Sequence, residues 1–381
     1  MAEPRTRRWI LGSGLTLSAG AGIGWFLYRD TPDNWQAPFA FLTDSSVFYD
    51  RWEAKKRDPL FWWSAVTRPE LYAIGWGGDG EPWRMSIDGD GVDRTTNINE
   101  VALRAIAAAD GTVALLKTMR CSGDRPGIRL ASNAVWTGVP LATLLRRAGL
   151  KSDAKRVRIT SRDGFTANLP LEALTTGDGR RAMLALSLNG NPLPHERGGP
   201  VRLIVPDRFG FKNVKWPARF EVTSDDRPWG NHEVDTGAGK DSGQVTLGSK
   251  ILKPDLRDTN PVAKAPRGPM LLAGVAFGGV APVSRVHVKL GADAPWRAAR
   301  LPVPSELKEH AEAARAWAGV GERWPLPDVW TPWVIHWSPS SPGDYRITVR
   351  ATNRLNQAQP DSDWDWTDAQ SSVAGGIVRI T

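Results

Sequence analysis

The sequence contains a single cysteine, Cys121, among 381 residues. One cysteine excludes an intrachain disulfide, an iron–sulfur cluster bound by cysteines of this chain, and a haem attached through two cysteines. The five histidines are far apart and show no zinc-binding spacing, so we expect them to be packing or surface residues. A redox enzyme built on this chain would have to exchange electrons with a separate protein.

The chain also lacks long runs of charge of one sign. The 49 basic residues exceed the 41 acidic ones to give a net charge of +8, but the two kinds are interspersed. This distribution gives little support for nucleic-acid binding, and an anionic cofactor or substrate in a basic interior explains it equally well. We therefore expect no nucleic-acid partner.

Length and aromatic content bound the architecture. A chain of 381 residues is long enough for two or three domains with separate cores. It has 19 tryptophans but only 4 tyrosines, with many of the tryptophans in the last third. A β-rich body packed by aromatic side chains is the simplest explanation.

The N-terminal segment, residues 1–30, combines an arginine pair with an apolar stretch. The run Thr6-Arg7-Arg8-Trp9-Ile10-Leu11 is typical of a twin-arginine export signal. About 20 uncharged residues follow, which is enough to span a bilayer. We expect a periplasmic protein that residues 9–28 tether to the inner membrane, and a cleaved signal is the alternative.

The stretch 115–150 places Cys121 at the end of a predicted strand, directly before a turn. Residues 122–126 include Gly, Asp and Pro, which would bend the backbone away and leave the thiol facing a cavity. A lone cysteine is more often a small buried hydrophobe, which is the plain alternative. Arg125 and the N–H groups of the turn would favour the thiolate, the form that binds soft metals.

Two helices are predicted beside this stretch. Residues 97–109 have the pattern of an amphipathic helix that begins at an Asn or Asp cap. Residues 136–140, Trp-Thr-Gly-Val-Pro, open a short helix over 141–148 that ends with two arginines before a glycine.

A second informative block, residues 188–216, is rich in glycine and basic residues. Glycines let a backbone approach a ligand closely, and Arg202, Lys212 and Lys215 could hold a phosphate. A hairpin with a solvated basic face is the plain alternative.

The last third of the chain has the pattern of an all-β domain. Strand-like runs cover residues 271–277, 283–290, 333–337 and 345–351, and turn residues separate them. The preceding stretch, 225–265, is polar and rich in Gly, Asp and Pro, and it predicts a linker.

The run Cys121-Ser-Gly-Asp-Arg125, followed by Trp136-Thr-Gly-Val-Pro, resembles the sulfite oxidase family of molybdenum enzymes. In that family the matching cysteine donates its thiolate to molybdenum, and a pterin dithiolene supplies two more sulfurs. The resemblance implies that Cys121 is the metal ligand and that the cofactor is molybdenum–molybdopterin. It also implies a substrate pocket that contains Arg51, Trp136 and Arg125 beside the ligand.

Two further matches imply the pterin-binding residues. Residues 46–51, Ser-Val-Phe-Tyr-Asp-Arg, resemble both the sulfite oxidases and the bacterial periplasmic methionine-sulfoxide reductase, and the block 188–216 has the family's order and spacing. The chain departs from the pattern at Arg197, where sulfite oxidases have His and the reductase has Asn. The implied pterin and phosphate contacts are Ser46, Tyr49, Asp50, Cys121, Ser161, Arg197, Arg202, Lys212, Asn213, Val214 and Lys215.

The resemblance implies an α+β fold with two domains after the N-terminal segment. A sulfite-oxidase-type mixed α/β molybdopterin-binding domain would occupy residues 31–262. An all-β immunoglobulin-like sandwich would occupy residues 263–381. Because family members often dimerise through the second domain, a homodimer is expected.

The implied reaction is a two-electron oxygen-atom transfer on a small sulfur or other oxo compound outside the cytoplasm. Electrons would pass to or from a separate cytochrome or membrane haem subunit. Pro126 stands where sulfite oxidases have a second arginine, and losing one charge-assisted contact of about 1.5–3 kcal/mol would weaken sulfite binding roughly ten- to hundredfold. Two alternatives stay open: a sulfite dehydrogenase proper, in which Arg51 and Arg125 compensate for Pro126, and a cofactor-less membrane-tethered binding or scaffold protein.

Overall fold

The computed structural model describes most of the chain after residue 80. The described residues are 81–128, 130–227, 229–230, 243–256, 260–303, 306, 323–365 and 371–381. The predicted export segment and the predicted site residues Ser46, Tyr49, Asp50 and Arg51 lie outside this part of the chain, so their assignments stay predictions.

The first part of the described chain forms two five-stranded sheets. The ten strands described up to residue 230 are β1 (Arg84–Asp88), β2 (Thr96–Asn99), β3 (Val113–Arg120), β4 (Ala131–Pro140), β5 (Arg156–Ser161), β6 (Thr166–Pro170), β7 (Met183–Leu188), β8 (Asn191–Pro192), β9 (Arg202–Ile204) and β10 (Pro217–Thr223). Sheet A has the strand order β2-β1-β10-β5-β6, and sheet B has the order β3-β4-β7-β8, with β9 also paired to β7.

Two α-helices occur within the described ranges, α1 (Glu100–Asp110) and α2 (Leu141–Arg147). The predicted cap of α1 is Asn99, whose Oδ1 accepts a hydrogen bond of 2.8 Å from the backbone N–H of Ala102. The prediction that this helix begins at residue 97 is wrong, because residues 97–99 pair with β1 as the end of β2. The apolar side chains of both helices pack against sheet A and form one buried apolar core with it.

The block 136–140 forms the second half of β4 rather than a helical entry. Trp136 lies opposite Leu115 of β3 and Leu188 of β7, at the centre of sheet B. Tryptophan and valine favour this extended pairing, and Pro140 then ends the strand where α2 begins.

The last part of the described chain forms two further sheets. The strands described after residue 243 are β11 (Leu247–Lys253), β12 (Val262–Ala265), β13 (Met270–Gly278), β14 (Val283–Leu290), β15 (Arg297–Ala298), β16 (Thr331–Trp337), β17 (Gly343–Asn353) and β18 (Ala374–Ile380). Sheet C has the order β11-β13-β16, and sheet D has the order β12-β18-β17-β14-β15.

The four strands predicted in the last third are confirmed within β13, β14, β16 and β17. The linker predicted over 225–265 is partly wrong, since β11 pairs with β13 and β12 pairs with β18. Residues 248–252 of β11 are all buried although they include Ser249 and Lys250, so composition alone does not separate this strand from a linker.

Sheets C and D pack face to face around one apolar core. Leu272 and Trp333 from sheet C meet Val288, Val349 and Val378 from sheet D in this core. The described chain is therefore mostly sheet with few helices, which agrees with the β-rich body predicted from the tryptophans. Within the described residues, no helix is long and apolar enough to cross a membrane.

Sheet B also packs against sheet C. Leu116 of β3 and Val135 of β4 share a core with Leu271, Val275 and Val329. Strand β3, which precedes Cys121, thus belongs to sheet B and packs against sheet C.

Candidate active site around Cys121

Cys121 follows β3 directly, and its side chain is buried, with 3% of its surface exposed. The backbone N–H of Asp124 donates to the carbonyl of Cys121 over 3.1 Å, which closes the predicted turn. The N–H of Gly123 points to the sulfur, with 3.4 Å between the nitrogen and Sγ. The strand and turn predicted from the sequence are therefore present, and they hold one buried sulfur.

Cys121 and Trp136 belong to the same apolar core. Side chains alternate along a strand, so Met119 and Cys121 lie on one face of β3, where the core also includes Leu130 and Trp136 of the neighbouring segment. The structure thus brings together two residues that the sequence resemblance placed in one pocket.

Arg202 connects this core to the basic block. Its guanidinium carbon lies 5.6 Å from the ring centroid of Trp136, within the range of a cation–π contact. The side chain is buried and donates from Nε to the carbonyl of Asn213 and from Nη1 to the carbonyl of Arg197, each over 3.0 Å. Three predicted pterin contacts therefore lie in a single hydrogen-bonded group.

Lys215 lies next to Arg202, because the two residues form a β-bridge. Gly198 faces both with φ of +101°, and a Cβ there would lie 3.0 Å from Cγ of Lys215 and 3.2 Å from Cδ of Arg202. Only glycine combines this backbone conformation with so close an approach. The glycine-rich sequence here is thus required to bring two buried cations together.

The remaining predicted phosphate residues surround the same segment. Asn213 fixes the backbone, since its Oδ1 accepts from the N–H of Val205 over 2.8 Å, and the carbonyl of Val214 accepts from the N–H of Leu203 over 2.9 Å. Lys212 is buried and donates from Nζ to the carbonyl of Asn168 over 2.7 Å. Lys212 therefore already makes a hydrogen bond to the backbone of β6.

Ser161 lies at the end of β5 and pairs with Pro217, two residues after Lys215. Its hydroxyl donates to the carboxylate of Asp163. Arg197 is half-buried, whereas Arg125 is exposed. Among the described candidates, Arg125 therefore has the most solvent-accessible side chain.

Sequence reasoning missed the ionic group behind the cysteine turn. Asp124 is fully buried, and its carboxylate accepts from Nε of Arg120 over 2.9 Å and from the N–H of Leu130 over 2.8 Å. Nζ of Lys250, in β11, lies 3.1 Å from Oδ1 of Asp124 and donates to the carbonyl of Arg125 over 2.7 Å. No sequence signal marks Lys250, because it lies 126 positions beyond Asp124 in a stretch whose composition predicts a linker.

A second buried ionic group lies further back along β3. The ammonium of Lys117 donates to the carboxylate of Asp328, which also accepts from the N–H of Asp207 over 2.8 Å. Burial raises the pKa of Asp328 to about 6, although the positive charge of Lys117 acts in the opposite direction. Burial likewise lowers the pKa of Lys117. Arg180 binds Asp207 through both terminal nitrogens and completes the group.

Two cavities border these elements. One of about 510 Å³ lies between β3 of sheet B and the segments 280–282 and 326–327, beside Arg180 and Asp207. Another of about 700 Å³ borders Ser161 and Arg162 at sheet A. Cys121 is not among the described residues that line either cavity.

The donor set suits a soft metal and a phosphate. A buried thiol is the ligand that soft metals select, and the cations brought together by Gly198 suit a phosphate group. The residues present therefore fit a cofactor that contains both a soft metal and a phosphate. The thiol of Cys121 lies in one core with Trp136, and the cations Arg202 and Lys215 lie on the other side of the Trp136–Arg202 contact.

Comparison with known proteins agrees with this donor set. Residues 76–229 match the family described as oxidoreductase molybdopterin binding domain. The chain is 25% identical over 319 residues to sulfite oxidase of Gallus gallus, which covers 74% of this chain and 64% of that protein. It is 28% identical over 214 residues to an inducible NADH nitrate reductase of Glycine max, which covers 48% of this chain and 24% of that protein. The matches span less than two thirds of the length of these relatives.

The fold is similar to a solved structure over most of the chain. The crystal structure of the sulfane dehydrogenase SoxCD from Paracoccus pantotrophus superimposes with a TM-score of 0.61 at 20% identity, which covers 78% of this chain and 75% of that chain. At this identity the similarity shows the fold, and it extends beyond the matched domain.

Proposed function

Because the chain belongs to the sulfite oxidase family of molybdopterin oxidoreductases, we propose that it catalyses oxygen-atom transfer on a small sulfur or other oxo compound. The observation that carries the proposal is the buried thiol of Cys121 in one apolar core with Trp136, whose ring contacts the buried Arg202. A cofactor-less scaffold protein would have no need to keep these groups together.

The cofactor of this family is molybdenum–molybdopterin, and the chain has the residues to hold it. We assign the metal-binding thiolate to Cys121. The pterin phosphate is assigned to Arg202 and Lys215, with backbone support from Asn213 and Val214 and further contacts from Ser161, Arg197 and Lys212. When bound, the cofactor supplies a metal that changes its oxidation state by two electrons as an oxygen atom is transferred.

The protein's own contribution is binding, orientation and exclusion of water. The N–H of Gly123 donates to the sulfur of Cys121 and the N–H of Asp124 donates to its carbonyl, and these turn hydrogen bonds orient the residue. Trp136 is fully buried and closes the core beside the thiol. Arg125, the exposed cation two residues beyond Gly123, is positioned to attract an anionic substrate.

A second candidate is sulfite oxidation proper. The match to the sulfite oxidase of Gallus gallus over 319 residues favours it. Pro126 weighs against it, because it replaces an arginine that the sulfite oxidases have at this position. The two candidates share the metal centre and differ in the substrate and in the side chains that hold it.

We further propose the cellular setting from the sequence. The arginine pair at residues 7–8 and the apolar stretch after it support export by a twin-arginine signal and a tether to the inner membrane through residues 9–28. The face-to-face sheets C and D support an immunoglobulin-like second domain and a homodimer through it. The single cysteine supports a separate cytochrome or membrane haem subunit as the electron-transfer partner.

Metal analysis tests the proposal directly. The full chain is produced in a host supplied with molybdate, and molybdenum is measured per mole of protein. We expect close to one molybdenum per chain. Absence of molybdenum from the correctly folded wild type would refute both enzyme candidates.

Activity assays then separate the substrates. Sulfite with an artificial electron acceptor tests the sulfite candidate, and methionine sulfoxide with an artificial donor tests the reductive alternative. We expect sulfite turnover to be weak relative to other small sulfur compounds, since Pro126 removes one cation. Efficient sulfite turnover at micromolar concentrations would favour the second candidate.

A further inference from the structure

The chain on either side of Cys121 is bound by residues outside sheet B, at one point before the cysteine and at one point after it. Before the cysteine, β3 lies at the edge of sheet B, and the N–H of Thr118 donates to the carbonyl of Asp328 over 2.8 Å. The hydroxyl of Thr118 accepts from the N–H of Trp330 over 2.7 Å, and the ammonium of Lys117 donates to the carboxylate of Asp328. The segment 328–330 leads directly into β16 of sheet C.

After the cysteine, the turn is held by β11 of the same sheet C. Lys250 contacts the carboxylate of Asp124 over 3.1 Å and the carbonyl of Arg125 over 2.7 Å. Asp124 in turn fixes both sides of the turn, because it also accepts from Arg120 and from the N–H of Leu130. All of these groups except Arg125 are buried, so solvent does not screen the ionic contacts.

We propose that sheet C is part of the catalytic centre, with Lys250 and Asp328 acting as positioning residues that set the orientation of the Cys121 sulfur. The inference rests on the proposed function for the role of the thiol. The second pair of sheets would otherwise be expected to serve only dimerisation. Asp328, in the segment that leads into sheet C, contacts Lys117 four residues before the cysteine. Lys250 of sheet C contacts Asp124 three residues after the cysteine, so a displacement of either contact would move the sulfur.

Lys250 tests this inference more directly than Asp328, because Lys250 contacts the cysteine turn itself. Removing one partner from a buried ion pair leaves a charge that the interior does not solvate, so the turn must rearrange. Arg120 also donates to Asp124, so Asp124→Asn and the double variant both leave a buried guanidinium without its carboxylate. In a cycle of Lys250→Met, Asp124→Asn and the double variant, we therefore expect the double variant to be at least as perturbed as Lys250→Met.

The experiment uses the full chain and three readouts. The first is the rate at which iodoacetamide alkylates Cys121 in protein produced without molybdate. The second is molybdenum content after production with molybdate. The third is the electron paramagnetic resonance spectrum of the one-electron-reduced, loaded protein, which depends on the orientation of the thiolate at the metal. Lys264→Met, an exposed lysine of sheet D, is the matched control.

We expect Lys250→Met to raise the alkylation rate by about tenfold, the effect of roughly 1.4 kcal/mol on turn opening, and to shift the resonance spectrum. Lys264→Met should match the wild type in all three readouts. Should Lys250→Met fail to fold, Asp124→Asn and Asp328→Asn test the same inference and should change the same readouts. Folded Lys250→Met, Asp124→Asn and Asp328→Asn with wild-type alkylation rates and spectra would overturn it. A wild type without molybdenum would instead refute the proposed function, and the alkylation readout would still stand.

Discussion

The guanidinium of Arg202 lies over the indole ring of Trp136, 5.6 Å from its centroid, and this contact joins the basic block to the core that contains Cys121. The two residues are 66 positions apart in sequence, and strand β7 lies between theirs in sheet B. Under the proposed function, this contact would couple binding of the pterin phosphate to binding of the metal.

Arg202→Gln should lower cofactor content. The loss of one charge-assisted hydrogen bond of about 1.5–3 kcal/mol predicts roughly ten- to hundredfold weaker binding of the pterin phosphate. The measurement is molybdenum per chain after dialysis at low cofactor concentration. Arg346→Gln, an exposed arginine of sheet D, should retain the wild-type content. Equal contents in the two variants would contradict the assignment of Arg202.

Cys121→Ala should keep the fold and abolish turnover. The residue contributes one small buried side chain to the core, so we expect a loss of about 1 kcal/mol or less of unfolding free energy. Thermal unfolding followed by circular dichroism measures the fold, and the assays described above measure turnover. Met119→Leu, a volume-conserving change in the same core, should remain active. An unchanged rate for Cys121→Ala would refute the ligand assignment.

Gly198→Ala should disturb the site more than a glycine substitution of similar backbone strain. The added Cβ would crowd Lys215 and Arg202 at 3.0 and 3.2 Å, whereas Gly179, with φ of +85°, has no atom within 4 Å of a built Cβ. Both variants carry the cost of about 1–3 kcal/mol for a positive φ. We therefore expect loss of molybdenum for Gly198→Ala only, and similar losses in both variants would mean that strain alone is responsible.

Asp328→Asn should change how stability depends on pH. The pKa of Asp328 is raised to about 6, from an ordinary value of 3.8, because burial and the neighbouring Asp207 disfavour its charge, although Lys117 acts in the opposite direction. Between these values the folded chain binds more protons than the unfolded chain. The stability from this group is thus complete below pH 4 and lost as the pH rises through about 6.

The measurement is the thermal midpoint of the wild type and of Asp328→Asn from pH 4 to pH 7. The midpoint of the wild type relative to the variant should fall across this interval. Asp293→Asn, an exposed carboxylate, controls for loss of charge. A constant difference between wild type and Asp328→Asn would show that the carboxyl does not titrate in this range.

Local patterns predicted much of the fold and the position of the thiol. The strand before Cys121 and its turn followed from apolar residues that meet Gly, Asp and Pro. The strands of the last third followed from alternation with turn residues between them. Such signals succeed because each depends on residues adjacent in sequence.

Pairings across the chain could not be predicted in this way. Lys117 and Asp328 are 211 positions apart, and each alone has the appearance of a surface charge. The sequence predicts a linker at β11, because the stretch 225–265 is polar and rich in Gly, Asp and Pro, yet residues 248–252 are all buried. The topology of the chain determines which of these residues meet, and no local sequence pattern encodes that topology.

The position of Asp328 over the edge of β3 has a consequence for synthesis. A ribosome completes β3, β4 and the cysteine turn long before residues 328–330 emerge, and until then the edge of β3 is open to any other extended chain. The turn gains Lys250 only after residue 250 has been made, and the strand gains Asp328 only after residue 328 has been made. We therefore expect cofactor insertion to follow synthesis of the segment 328–330, and nascent chains that stall before residue 328 to be the species most prone to aggregate.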